Sequence, residues 1–125
     1  MGVKYLWDTN TVIYYLQKQF PEVVRIYMHR LLKSGLPTIS VVTEIELLCW
    51  KTDNTDRKKV LNTFLSKVSI IELEQPIKFK TVALRKTIRI KLPDAIIAAT
   101  AIVHDLTLVT RHVKDFTNIH GLNDH

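Results

Sequence analysis

Short apolar runs alternate with longer stretches at helical spacing along the chain. Val3 to Trp7 is a β-branched and aromatic run that ends on Asp8, so it reads as a first strand. Asp8-Thr9-Asn10-Thr11 is dense in helix-capping side chains, and Val12 to Gln19 follows as a short helix. Pro21-Glu22 opens another helix through Lys33, stopped by Ser34-Gly35. Pro37-Thr38-Ile39-Ser40 predicts a brief second strand. A helix over Val41–Trp50 follows at once, from the apolar spacing of Val41, Val42, Ile45, Leu48 and Cys49.

Asp53 to Lys67 predicts a further helix, capped within Thr52-Asp53-Asn54-Thr55, and Val68 to Ile71 a third strand. A basic helix is expected from about Ile77 to Ile90, broken by Lys91-Leu92-Pro93. Asp94 to His104 is rich in Ala and Ile and apolar nearly all round, the pattern of a buried helix. Thr107 to Thr110 reads as a fourth strand, and Ile119 as the start of a small fifth one. Strands alternating with helices need crossover connections. The expected architecture is therefore a three-layer α/β domain over residues 1–125, with a mostly parallel central sheet flanked by helices.

Composition adds bounds to this picture. Hydrophobic residues make up 46% of the 125 positions and charged residues 24%, enough apolar material for one core without disulfides. The single Cys49 cannot form an internal bridge, which fits a reducing compartment. The start of the chain reaches Asp8 too soon for a secretory leader. The longest apolar stretch, Ala95 to Val103, is about half of what a bilayer demands. No membrane association and a cytoplasmic location are expected.

Lys and Arg number 18 against 12 Asp and Glu, a formal net charge of +6. A basic surface suits a polyanion, because neutralising phosphates releases counterions. Lys78, Lys80, Arg85, Lys86, Arg89 and Lys91 share one acid-free stretch, and Arg57-Lys58-Lys59 form a second cluster. In a continuous helix, Lys78, Arg85 and Arg89 fall on one face, a candidate RNA path whose simpler use is a solvated surface.

The acids are placed less evenly than the bases. Open α/β sheets bind ligands beyond the carboxyl ends of their strands. Asp8 ends the first strand, Glu44 and Glu46 lie early in the helix after the second, Asp94 opens the buried helix, and Asp115 follows the fourth strand. Several carboxylates at one rim repel one another, and a divalent cation relieves that conflict; oxygen-only ligands favour magnesium or manganese over zinc. Each acid also has a plainer use: Asp8 as a helix cap, Asp94 as a complement to the helix dipole, Asp115 in a surface turn. At about 100° per residue, Glu44 and Glu46 flank the stripe of Val41, Ile45 and Leu48, and periodicity does not separate them.

Four segments together resemble the motifs of the PIN-domain family, in family order and across nearly the whole chain. They are the strand ending in Asp8-Thr9-Asn10, the run Ile39 to Leu48, the run Leu92 to Ala101, which is the most distinctive, and Leu108 to Phe116. Length and domain count point within the family to VapC-type toxins, the ribonuclease halves of VapBC toxin–antitoxin pairs. The resemblance implies a metal-dependent endoribonuclease using magnesium or manganese, a homodimer, and a cognate VapB-type antitoxin. It also implies Asp8, Glu46 and Asp94 as the core acids, an acid directly before leucine selecting Glu46, with Asp115 as the fourth. His112 stands where relatives often carry Asn or Asp. Asn10 and Thr110 are expected to orient ligands or water from behind the acids, with a capping amide and a turn hydroxyl as their simpler roles.

Other chemistries find little support. None of the five histidines has the paired helical spacing of a zinc protease, and three glycines make no phosphate loop. Trp7, Tyr14, Tyr15 and Trp50 are expected to pack, the tyrosines also offering partner surface. A haloacid-dehalogenase reading of Asp8-Thr9-Asn10-Thr11 lacks both an acid at position 10 and a later Gly-Asp pair. A PIN domain without catalysis, acting as an RNA-binding or scaffold module, is the alternative function.

Overall fold

In the computed structural model the described residues are 4–17, 22, 23, 26, 30, 37–51, 53–116, 119 and 121–124. Five strands form one sheet in which every pairing is parallel: β1 (Tyr5–Trp7), β2 (Thr38–Ser40), β3 (Ser69–Ile71), β4 (Thr107–Val109) and β5 (Asn123–Asp124), in spatial order β3-β2-β1-β4-β5. The described helices are α1 (Thr9–Leu16), α2 (Val41–Leu48), α3 (Thr55–Lys67), α4 (Gln75–Thr87) and α5 (Leu92–Val103). The helix expected over Pro21–Lys33 lies mostly outside the described residues.

The pleat divides the core in two. Successive side chains on a strand point to opposite faces. Leu6 and Leu108 therefore join the cluster of Ile77, Leu84, Ile97 and Ala98, while Trp7 and Val109 join Val12, Ile39, Leu47 and Leu61. Helix α5 is buried along Ala95 and Ile97 to Ala101, as its all-round apolar sequence requires. Its packing against α4 closes one face of the sheet.

Side chains at the helix starts explain why the elements begin where they do. Asp8 caps α1, accepting from the Thr11 N–H at 2.8 Å. Ser40 caps α2 by accepting from Val42, and Asn54 caps α3 by accepting from Asp56 and Arg57. Each supplies an acceptor to an N–H with no partner inside the helix.

Several boundaries differ from those expected. Helix α4 spans Gln75–Thr87, with Pro76 in its first turn, and Ile88 leaves it in an extended conformation. Arg89 lies beyond the helix, so helical spacing does not put it on one face with Lys78 and Arg85. Lys91-Leu92-Pro93 starts α5 instead of breaking a helix, because proline in a first turn lacks only an N–H that has no partner there. The fifth strand sits at Asn123–Asp124, not at Ile119, which is buried in the core. No helix among the described residues is long and apolar enough to cross a membrane.

Candidate active site

Strand order reverses at β1: the chain builds outward through β2 and β3, then returns to place β4 on the other side. Such a reversal opens a crevice at the carboxyl ends of the two strands. The register pairs Trp7 with Val109, so the next residues, Asp8 and Thr110, face each other across that crevice. The Thr110 hydroxyl donates to Asp8 Oδ2 at 2.5 Å and accepts from the His112 N–H at 3.0 Å. With the Thr11 N–H on Oδ1, both oxygens of the buried Asp8 carboxylate are held. Capping of α1 and placement at the crevice are thus one arrangement of Asp8.

Glu46 arrives from α2. That helix buries Thr43 and Leu47 and leaves Ile45 and Leu48 exposed at 53% and 59%. The apolar stripe expected at Val41, Ile45 and Leu48 is therefore not its inward face. Burial of Leu47 in the core and polar contacts fix the rotation together: the Thr43 and Thr9 hydroxyls share a hydrogen bond of 3.1 Å, and Thr9 donates to Glu46 Oε1 at 2.6 Å.

Asp94, in the first turn of α5, and Asp115, at the end of a 3₁₀ turn over Val113–Asp115, complete the set. A hollow of about 340 Å³ is lined by Asp8, Asn10, Glu46, Lys91, Pro93, Asp94, His112, Asp115 and Phe116. It opens on one side into a second hollow containing Thr9, Ile13, Trp50 and Ile97, through shared Asp8, Asn10, Glu46 and Asp94. Glu44 lines neither.

Partial burial pushes the Asp94 carboxyl above its ordinary value, and the carboxylates of Asp115, Asp8 and Glu46 push it further, against a lowering by Lys91. Asp94 thus feels all three other acids. As placed, no three acidic, histidine or cysteine side chains among the described residues stand close enough to share one ion. Like charges repel, which favours separation of the four carboxylates. The donor set is nonetheless oxygen-rich and free of cysteine, and its negative field suits a hard divalent cation.

Asn10 is exposed beside these acids and Thr110 is buried behind Asp8. Lys78 and Arg85 line neither hollow, nor a third on the Asp115 side that takes in Arg89. Thr9 and Thr43 are not among the residues expected from the sequence; a hydroxyl directly after the strand-ending Asp8 is the signal that points to Thr9. Trp7 packs edge-on against Tyr15, with ring centroids 5.4 Å apart. The Arg111 guanidinium stacks 3.7 Å over Tyr14 and ties the segment after β4 to α1.

Residues 5–120 match the PIN domain family model, and the chain belongs to that family. It is 29% identical over 126 residues to Ribonuclease VapC2 of Rickettsia felis, covering 94% of this chain and 93% of that protein. Among solved structures, VapBC2 from Rickettsia felis bound to a promoter DNA fragment aligns with a TM-score of 0.83 at 27% identity, covering 98% of both chains. A toxin–antitoxin complex from Klebsiella pneumoniae aligns at 0.72 with 33% identity over 95% of each chain.

Proposed function

We propose that this chain is a divalent-metal-dependent endoribonuclease and the toxin of a VapBC-type pair. The observation that carries the reading is the hollow where Asp8, Glu46, Asp94 and Asp115, from four separate elements, meet at the reversal of strand order. The kinship with Ribonuclease VapC2 supports RNA as the substrate.

Asp8, Glu46 and Asp94 would hold magnesium or manganese, with Asp115 beside them. When bound, the cation supplies charge stabilisation at a phosphoryl oxygen and activation of water. The chain's own contribution is placement. Thr110 fixes the Asp8 carboxylate, Thr9 fixes that of Glu46, and Asn10 and His112 offer hydrogen bonds at the edge of the hollow. The lining offers no serine or cysteine, and Thr9 is engaged with Glu46, which makes water the nucleophile. Its oxygen adds to phosphorus and gives up a proton, the bridging P–O bond breaks, and the leaving oxygen takes up a proton, so that one water is consumed per bond cut.

A VapB-type antitoxin is the proposed partner and a homodimer the proposed assembly, in the cytoplasm. Ile45 and Leu48 on α2 and Phe79 and Val82 on α4 are exposed apolar side chains available for such contacts. The test is cleavage of varied RNAs with magnesium, with manganese, with chelator, and by Asp94→Asn. Metal-dependent cutting lost in the variant supports the enzyme. RNA binding without cutting under every condition overturns it in favour of a binding module.

A further inference from the structure

Beyond Asp94 and Asp115 the acid hollow continues into the third one, of about 580 Å³, lined by Ile88, Arg89, Ile90, Lys91, Asp94, Lys114, Asp115 and Ile119. That size falls within the roughly 300–1,000 Å³ usual for ligand sites. Its chemistry differs from its neighbour's. Three cations face two carboxylates over isoleucine side chains, whereas the acid hollow sets four carboxylates against Lys91. In the other adjoining hollow, Trp50 stands with Ile13 and Ile97 beside Asp8 and Glu46. The acid hollow shares several residues with each of the other two, which have only Asp94 in common, so the three adjoin as a trough with the acids between Trp50 and the pair Arg89 and Lys114.

A polyanion entering an acidic cleft is repelled unless cations and apolar contacts beside it hold the chain. We propose that single-stranded RNA lies along this trough, with one base against Trp50 on one flank and a backbone phosphate against Arg89 and Lys114 on the other. The inference rests on the ribonuclease reading and gives it a direction. The scissile phosphodiester sits between an aromatic subsite and a phosphate subsite. Aromatic stacking tolerates any base, and cations read only the backbone. These two flanks therefore supply affinity and leave sequence choice to the middle. Lys91 borders both the acid and the basic hollow, but a change there also alters the charge beside Asp94, so Arg89 and Lys114 are the informative positions.

The experiment is anisotropy of a fluorescent single-stranded RNA oligonucleotide titrated with protein in chelator at several salt concentrations. Chelator removes cleavage and leaves binding to be read. Arg89→Gln with Lys114→Gln should flatten the dependence of log K on log salt by about 0.7, the amount expected for one lost phosphate contact on a single strand. Arg89→Lys should retain the wild-type slope. Trp50→Ala should weaken binding on the order of tenfold with the slope unchanged, because stacking releases no counterions. Lys58→Gln with Lys59→Gln, exposed on α3, serves as the charge-matched control and should keep the wild-type slope.

An unchanged slope in the Arg89 and Lys114 double variant, or an equal loss in the control, overturns the path. So does a double variant that binds RNA normally but loses affinity for an antitoxin, which would assign the basic hollow to a protein partner. Wild-type cleavage with metal, run in parallel, separates the two failures. If it persists, only the path is wrong; if it is absent and no RNA binds, the ribonuclease reading falls as well.

Discussion

The Thr110 hydroxyl donates to Asp8 Oδ2 at 2.5 Å across a sequence separation of 102 residues. Parallel pairing of β1 and β4 makes that contact, because both residues directly follow the register pair Trp7 and Val109. Thr110→Val keeps the shape and removes the donor. Loss of such a partner behind a metal ligand typically costs about 10- to 100-fold in metal affinity or activity. Thr110→Ser should retain most of both. Magnesium titration of cleavage, with calorimetry of metal binding, checks the pair; equal behaviour of the Val and Ser variants would contradict it.

Thr9 makes the matching contact to Glu46, at 2.6 Å. Thr9→Val should lower cleavage by about 10- to 100-fold, again by freeing a carboxylate from its orienting hydroxyl. Thr9→Ser should sit close to wild type. If Thr9→Val is fully active, Glu46 does not need to be held.

In the metal-free protein, stability should depend on pH through Asp94. Its folded pKa is raised above the ordinary value of 3.8, chiefly by burial and then by Asp115, Asp8 and Glu46. The folded state therefore holds the proton more tightly than the unfolded chain. Stability falls as pH rises from the ordinary value through the raised one, and stays lower above it. Asp94→Asn removes this dependence. In chelator it should melt above wild type at neutral pH, with the difference disappearing in acid below the ordinary carboxyl pKa. Thermal melts across pH test this, and a variant less stable than wild type at pH 7 contradicts it.

Strand β4 leads directly into Thr110. Leu108 is fully buried in β4. Leu108→Ala should destabilise the fold by about 2–5 kcal/mol, combining lost burial with a cavity that closes only partly. Urea denaturation measures it; a change under about 1 kcal/mol would mean the site collapses freely around the smaller side chain.

Much of this arrangement was legible in the chain itself. The run Tyr5 to Asp8 announces a strand with an acid at its end, and Pro93-Asp94 followed by an apolar run announces the first turn of a buried helix. Parallel topology then follows from alternation, because crossovers allow little else. The rotation of α2 was not legible. Ile45 and Leu48 look like an inward stripe, but the hydroxyl of Thr43, bonded to Thr9, and the side chain of Leu47, packed in the core, take that position. The end of α4 was also hidden. No proline or glycine marks Ile88, and the extended turn toward α5 that brings Arg89 beside Asp94 is a tertiary outcome.

The ribonuclease reading requires one cation shared by Asp8 after β1, Glu46 of α2 and Asp94 of α5. The most direct measurement is an anomalous difference map at the manganese edge from crystals of the protein soaked in manganese. A peak is expected in the hollow, within ligand distance of Asp8 and Asp94, that disappears in Asp94→Asn. A protein that cuts RNA with manganese while its only peak lies away from these carboxylates would contradict it.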